Sequence, residues 1–507
     1  MTPNFFMTQS PSARPNFAAL LQGFPIMSRS GDWSIPISSL VTDSRRVLPG
    51  SLFFALPGLH ADGHGFLDEA ISRGASAVIS GQSVNKLPAV AAAQVAEPRQ
   101  VLAEIARRFY GHPETKLKLM GVTGTNGKTT VTTLLRHLLQ QDGSSWGLLG
   151  TVRYHLGQRS IPSYMTTPDA ADMAQFFKQM ADSSCQGACL EVSSHALHQE
   201  RVHGYKFAAV AFTNLTRDHI DYHGDLATYL DVKTRLFDGR NGGGVPEWSV
   251  INIDDPAGKV LAEACARRGK VLTYGLSAEA DLRATDLALD TTGSVFTIRY
   301  QGRQARCRSS LPGDYNVANI LCALGLAVAA QRDPLSLVGA VESFAGVPGR
   351  MERVEAGQKF AIFVDYAHTD DALRNALKML RGITPGRVLC VFGCGGNRDS
   401  GKRPAMTKAV VEQAHLAWAT ADNPRKESIE KIFTDMRQGL GPLPTVAFIA
   451  DRREAISYAL AAARPGDSLI IAGKGHETTQ IFADTVVPFD DRQVVREILE
   501  ARRGAQG

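Results

Sequence analysis

The chain has 507 residues, too many for one hydrophobic core, and at about 100–200 residues per domain it calls for roughly three domains. Apolar residues make up 44% and charged residues 21%, which places it among ordinary soluble globular proteins. The net charge of +5 is spread without any Lys/Arg block, a balance that suits small polyanionic ligands and argues against a nucleic-acid partner, which would call for a clustered basic stripe.

Residues 1 to about 15 are polar, carry Pro and Ser, and read as a mobile tail. Met1 to Pro25 has no charged start followed by an apolar core of signal-peptide length, and no later run approaches the ~20 apolar residues of a membrane span. The expectation is a cytoplasmic protein with no membrane partner. From Trp33 to about Arg108 short strands and helices alternate: Gly50 to Leu56 reads as a strand, Phe66 to Arg73 as a helix, and Ala77-Val-Ile as another strand. Two polar stretches of this small α/β unit, Thr42-Asp43-Ser44-Arg45-Arg46 and Gly58-Leu-His60-Ala-Asp62-Gly63, read on their own as loops. A His112-Pro113 turn closes the unit.

From Lys116 to Thr130 the chain reads Lys-Leu-Lys-Leu-Met-Gly-Val-Thr-Gly-Thr-Asn-Gly-Lys-Thr-Thr. Leu117, Leu119 and Val122 predict a buried strand, and Val131 onward predicts an amphipathic helix. Between them Gly121, Gly124 and Gly127 let the backbone turn its N–H groups inward, and the helix start adds a positive dipole end, so the stretch predicts a phosphate cradle. Lys128 would reach the β- and γ-phosphates and the Thr129 hydroxyl would hold magnesium, although the glycine spacing departs by one residue from G-x-x-x-x-G-K-[ST].

A second apolar strand from Gly187 delivers Glu191, Ser193, Ser194 and His195 to its end, where open α/β sheets place metal and ligand groups. A third, from Ala208, carries Asp218-His219 just past its end. In Leu226 to Phe237, positions 226, 230, 233 and 237 share one helix face, which puts Lys233 on an apolar stripe where it must snorkel, pair or lose its charge. Seven cysteines without CxxC spacing argue for a reducing compartment; Cys185, Cys189, Cys390 and Cys394 read as core thiols. Asp281 to Arg308 reads as antiparallel strands, and Gly313-Asp-Tyr-Asn316-Val-Ala-Asn319 opens a long helix in which the asparagines would be N-caps on pattern alone. Val347 to Arg350 is a linker; beyond it a strand ending at Asp365 begins a second doubly wound sheet, with further strands from Val388, Ala417 and Ser468.

The cradle sequence Gly-Thr-Asn-Gly-Lys-Thr-Thr resembles the nucleotide loop of the Mur ligase family, ATP-dependent enzymes that form amide bonds, and Asn-Leu-Thr-Arg-Asp-His219 resembles its metal motif. The resemblance runs from about residue 35 to 500. It implies an α/β protein of three domains: a small N-terminal α/β domain at 1–110, a central P-loop domain with a mostly parallel sheet at 111–345, and a Rossmann-like doubly wound domain at 346–507. ATP would meet Gly121, Val122, Thr123, Gly124, Thr125, Asn126, Gly127, Lys128, Thr129 and Thr130, with Asn316 and Asn319 on the adenine side and Arg350 and Asp365 nearby. Lys128, Glu191, His219 and Lys233 are the implied catalytic set, and Thr129, Glu191, His219 and Lys233 the magnesium ligands. Lys233 matches the family lysine that takes up carbon dioxide as a carbamate (N6-carboxylysine).

The same resemblance assigns the uridine diphosphate end of the substrate to Thr42, Ser44, His60, Ala61 and Asp62, and its muramoyl peptide to Thr166, Thr167, Ser193, Gln199 and Arg201. Asp422-Asn423-Pro424-Arg425 resembles the signature of members that add meso-diaminopimelate, joined by Arg398, Gly473 and Glu477. Arg398 and Arg425 could grip the distal carboxylate in a fork while Glu477 faces the distal ammonium; lysine offers no such carboxylate. The implied reaction adds this amino acid to the D-glutamate of UDP-N-acetylmuramoyl-L-alanyl-D-glutamate through an acyl phosphate, in peptidoglycan synthesis, by a monomer acting on small molecules. The alternatives are the same reaction with L-lysine or another amino acid, a folylpolyglutamate synthase, and, in another class, a P-loop motor or switch stimulated by a polymer.

Overall fold

The computed structural model describes residues 14–58, 61–84, 90–440 and 446–504. The expected N-terminal tail, up to residue 13, and His60 lie outside the described residues. The first sheet has the order Ser28–Ser30, Ala91–Gln94, Ala75–Ser80, Ser51–Ala55, Ser39–Val41, parallel except at Ser28–Ser30. Every residue of Ser51–Ala55 is buried because helix Pro98–Phe109 packs on one face of the sheet and helix Leu67–Ser72 on the other. A strand covered on both sides reads as a continuous apolar run, which is why this one is legible in the sequence.

The central sheet has eleven strands in the order Arg303–Ser309, Gly293–Tyr300, Leu282–Asp290, Lys270–Gly275, Trp248–Asn252, Ala209–Phe212, Lys118–Thr123, Gly187–Glu191, Trp146–Leu149, Arg153–His155, Ser160–Pro162. It is parallel from Leu282–Asp290 to Trp146–Leu149 and antiparallel at both ends. One expectation is corrected: Gly187–Glu191 is not the second strand of this domain in the chain, because Trp146–Leu149 and two three-residue strands precede it. Such short pieces carry no periodicity of their own and exist through pairing.

Lys118–Thr123 lies between Gly187–Glu191 and Ala209–Phe212, so the strand order reverses at its carboxyl end and opens a crevice there. Helices Lys128–Leu139 and Asp314–Ala329 pack on one face of the sheet, and Ala170–Asp182, Leu226–Asp238 and Pro256–Ala266 on the other. The stripe expected on Leu226–Asp238 is rotated. Leu226 is 44% exposed, and the buried face is Tyr229, Val232, Lys233, Leu236 and Phe237. Lys233 still points inward, at 1% exposure.

The third sheet runs Glu352–Arg353, Ala361–Asp365, Ser468–Ala472, Val388–Cys394, Leu416–Ala421, Val446–Phe448, parallel after the first pair, with apolar clusters and helices on both faces. A hairpin, Thr479–Phe482 with Thr485–Pro488, follows the last central strand. Beneath it Arg452 and Asp491, both with side chains 0% exposed, form a two-pronged ion pair at 2.7 Å on each prong. Removing one partner strands a buried charge. Asp491→Ala is therefore expected to lower unfolding free energy by about 3–5 kcal/mol in urea denaturation, and a loss below 1 kcal/mol would contradict this.

Candidate active site

The cradle forms as the sequence predicts. Lys118–Thr123 runs into the turn Gly124 to Gly127, and helix Lys128–Leu139 starts directly behind it. Gly124 and Gly127 have positive φ (140° and 89°), and a Cβ on them would stand 1.9 Å from Thr213 Oγ1 and 2.3 Å from Asn319 Oδ1 respectively. Only glycine fits at either place. Asn316 and Asn319 are not helix caps: Gly313 occupies that position, Asn316 Nδ2 donates to Pro312 O (2.8 Å), and Asn319 lies against Gly127.

Lys128 Nζ donates to Gly124 O and Thr125 O, each at 2.8 Å, and Lys233 Nζ donates to the same Gly124 O at 3.0 Å. Neither lysine makes an ion pair among the described residues. Burial pushes both ammonium groups down, Lys233 well down, with the charge of Lys128 adding to its shift. Lys233 Nζ otherwise rests over the Tyr229 ring, 4.2 Å from its centre. Two cations on one carbonyl form a site completed by an anion, so a triphosphate fits the residues present.

Glu191, 1% exposed, is the hub of the opposite wall. Its Oε2 accepts from Thr129 Oγ1 (2.9 Å) and Thr151 Oγ1 (3.0 Å), and its Oε1 accepts from Thr151 N (2.7 Å). Thr151 Oγ1 also meets Thr166 Oγ1 at 3.1 Å. Thr167 Oγ1 donates to Glu191 O (2.7 Å) and accepts from Ser193 N; Arg201 donates to Thr167 O (2.9 Å) and Gln199 Oε1 (2.7 Å). Thus Thr166, Thr167, Ser193, Gln199 and Arg201 come together beside Glu191. Thr151, which sequence reading missed, joins them to the cradle. Its only sequence signal is its place after Gly150, where a Cβ would lie 2.4 Å from Glu191 Oε1.

His219 stands further out, its side chain 45% exposed and 3.5 Å from Asp218. Among the described residues no group of three His, Cys, Asp or Glu side chains could hold a metal alone. The Thr129 hydroxyl and the Glu191 carboxylate, 2.9 Å apart, are oxygen donors of the kind that would hold magnesium.

The first domain's candidates are dispersed. Thr42 Oγ1 reaches Asp169 Oδ2 (3.4 Å) across the domain boundary, Ser44 Oγ donates to Glu69 (2.7 Å), and Asp62 accepts from His64 N and Gln82 Nε2 beside exposed Ala61. The third domain reaches the cradle directly. Arg350 Nη2 donates to Thr129 Oγ1 (3.4 Å) while its guanidinium lies over Tyr366, and Asp365, its carboxyl pushed up by burial, accepts from Met351 N (2.7 Å). Asp371, at the start of helix Asp370–Ile383, accepts from Thr216 Oγ1 (2.8 Å) and Asn126 Nδ2 (3.4 Å).

Arg398 and Arg425 flank Gly395, where a Cβ would lie 3.7 Å from Arg398 Cγ and 3.1 Å from Arg425 Nη1. Arg425 donates to Gly396 O (2.9 Å), which sits against the Pro424 carbonyl, while Arg398 is exposed. Asp422, its carboxyl pushed up by burial, abuts Gly473, and Asn423 Nδ2 donates to Glu477 Oε2 (2.8 Å).

Behind the cradle His223 donates to or accepts from Ser194 Oγ (2.9 Å); burial first, then His198, His219 and Lys233, push its imidazole down to about 4. A depressed folded-state value gives stability that is full above the ordinary pKa of about 6.5 and is lost as pH falls toward 4. His223→Gln should therefore flatten the fall of the urea midpoint between pH 7 and pH 5. An equal loss of midpoint at both pH values would contradict this.

Family models match three consecutive stretches: the Mur ligase family catalytic domain at residues 36–110, the Mur ligase middle domain at 122–327, and the Mur ligase glutamate ligase domain at 349–475. The chain is 42% identical over 471 residues to a protein of Geobacillus kaustophilus (strain HTA426) named UDP-N-acetylmuramoyl-L-alanyl-D-glutamate--2,6-diaminopimelate ligase, covering 92% of this chain and 95% of the relative. It is 43% identical to the protein of that name from Solibacter usitatus (strain Ellin6076), covering 92% and 94%. A solved structure with the same name superposes with a TM-score of 0.67 at 33% identity, covering 97% of this chain and 99% of the other. With three family models in order along it and relatives above 40% identity over 92% of its length, the chain belongs to the Mur ligase family.

Proposed function

We propose that this chain joins 2,6-diaminopimelate, in its meso form, to the D-glutamate carboxylate of UDP-N-acetylmuramoyl-L-alanyl-D-glutamate at the expense of ATP, in peptidoglycan synthesis. The observation that carries the reading is the hydrogen-bonded run Arg350, Thr129, Glu191, Thr151, Thr166, which links the phosphate end of the cradle to the residues expected to hold the acid. In this division of labour, 1–110 takes the uridine diphosphate end, 111–345 takes ATP, and 346–507 takes the amino acid. We read the enzyme as a cytoplasmic monomer; its seven cysteines are free and buried, as a reducing compartment would keep them.

An oxygen of the D-glutamate carboxylate attacks the γ-phosphorus and ADP leaves, giving an acyl phosphate; the amine nitrogen then attacks the acyl carbon and phosphate departs. No enzyme nucleophile is needed. Lys128 and Arg350 offset the charge that builds on the transferred phosphoryl group, and Gly124 to Gly127 orient it with backbone N–H groups. Thr129, Glu191, His219 and a modified Lys233 would hold magnesium, which would supply further charge neutralisation there. Lys233 is suited to modification because burial and Lys128 favour its neutral amine, a nucleophile for carbon dioxide. As the nitrogen–carbon bond forms the amine gives up a proton to solvent, and the carbamate then sets a negative charge against the Lys128 ammonium.

Arg398 and Arg425 receive the distal carboxylate of diaminopimelate, and a lysine side chain would meet the two guanidinium groups with a like charge. The reading predicts phosphate release only when both the muramoyl dipeptide and diaminopimelate are present. A coupled phosphate assay with each omitted checks it; equal turnover with L-lysine would overturn the amino-acid assignment, and stimulation by a polymer alone would overturn the ligase assignment. For Lys233, intact mass under bicarbonate at neutral pH is expected to show the carboxylated species, absent in Lys233→Ala. An unchanged mass with full activity would remove the carbamate from the mechanism.

A further inference from the structure

The turn Gly473-Lys-Gly-His-Glu477 holds a second buried lysine. Lys474 is 0% exposed. Its ammonium donates to Thr479 O (2.6 Å), Glu477 Oε2 (3.0 Å) and Asn423 Oδ1 (3.3 Å), and stands 3.8 Å from Asp422 Oδ1. Asn423 Nδ2 donates to the same Glu477 oxygen at 2.8 Å, and Ile481 N donates to Asn423 Oδ1 at 3.1 Å. Both donors converge on Oε2. The other oxygen, Oε1, makes no hydrogen bond among the described residues, and the Glu477 side chain is 32% exposed.

The charges around this turn do not cancel in pairs. Arg452 lies behind Asp422 but is taken by Asp491, and Asp422 Oδ1 is buried without a hydrogen bond. Asp422 and Glu477 therefore share Lys474, which pairs with Glu477 at 3.0 Å and stands 3.8 Å from Asp422. The cluster thus has two carboxyl groups to one ammonium, while Arg398 and Arg425 hold two positive charges around Gly395 on the same loop system. A zwitterionic chain end, one ammonium and one carboxylate, matches that division.

We propose that Lys474 is a positioning and specificity-determining residue for the amino-acid substrate. It fixes Glu477 through Oε2 so that Oε1 faces the incoming ammonium. It also cancels one of two carboxylate charges, so that the neighbouring carboxylate of the substrate is not repelled. This rests on the reading that the Asp422–Arg425 and Glu477 cluster receives diaminopimelate.

The test is a double-mutant cycle on the full chain with K474M, E477Q and K474M/E477Q, measuring steady-state kinetics with ATP, the muramoyl dipeptide, and either meso-diaminopimelate or L-lysine. K474M is expected to raise KM for diaminopimelate about tenfold or more, leave KM for ATP within about twofold, and lower the preference for diaminopimelate over lysine about tenfold. In the E477Q background the same substitution should cost less than about threefold, because its effect runs through Glu477. K474Q, which can still donate to Thr479 O, carries the same cycle if K474M does not fold. Equal rises in KM for ATP and diaminopimelate, or full additivity with E477Q, would overturn the proposal. A wild-type enzyme that uses lysine as well as diaminopimelate would instead overturn the underlying reading, before Lys474 is tested.

Discussion

Lys128 and Lys233 place two buried amino groups against the one carbonyl oxygen of Gly124, with no ion pair to either among the described residues. Burying a lone cation costs several kcal/mol even after relaxation, on the order of magnitude expected for unpaired interior charge, and a second one close by adds repulsion. The site is thus set against itself until anionic oxygens arrive. Phosphate can supply them from the crevice side, and a carbamate on Lys233 can supply them from the protein side. The glycines serve this arrangement, since Gly124 and Gly127 let Thr213 and Asn319 close on the loop and hold the Gly124 carbonyl where both lysines reach it.

The wall facing these cations is neutral-to-acidic and fully bonded. Glu191 spends its carboxylate on Thr129 and Thr151, so the group nearest the phosphates is held by the same threonine that touches Thr166. A short chain of hydrogen-bonded side chains therefore runs from the cradle to Thr166. Arg350 extends this chain into the third domain, and Asp371 adds a second tie through Thr216 and Asn126. The first domain is tied on the opposite flank by Thr42 to Asp169 and by Arg46 to Asp172 at 3.1 Å. Polar, sparse links of this kind are typical of contacts between domains of one chain.

Selectivity has a different physical basis from phosphate binding. At the cradle the protein offers positive charge and waits for negative. At the proposed amino-acid end the two signs are separated, with arginines around Gly395 and carboxylates around Lys474. A single misplaced lysine would blur that pattern, which is why a wholly buried cation inside a turn of two glycines bears on substrate choice.

The sequence by itself determined the strand, turn and helix of the cradle, the glycines at 124 and 127, the inward lysine of helix Leu226–Asp238, and the doubly wound character of the third sheet. Each of these is written in local periodicity or in a residue type that only one backbone geometry accepts. Tertiary structure alone decided that Thr151 joins Glu191 to Thr166, that Asp371 reaches Thr216, that Asn319 packs on Gly127 instead of capping its helix, and that Lys474 turns inward to Glu477. Apart from Lys474 and Glu477, which are three residues apart, these contacts bring together residues distant in the chain, where no spacing rule operates. They follow from the order in which eleven strands pair and from the face each helix presents, and that order is fixed by packing across the sheets, beyond the reach of any local pattern.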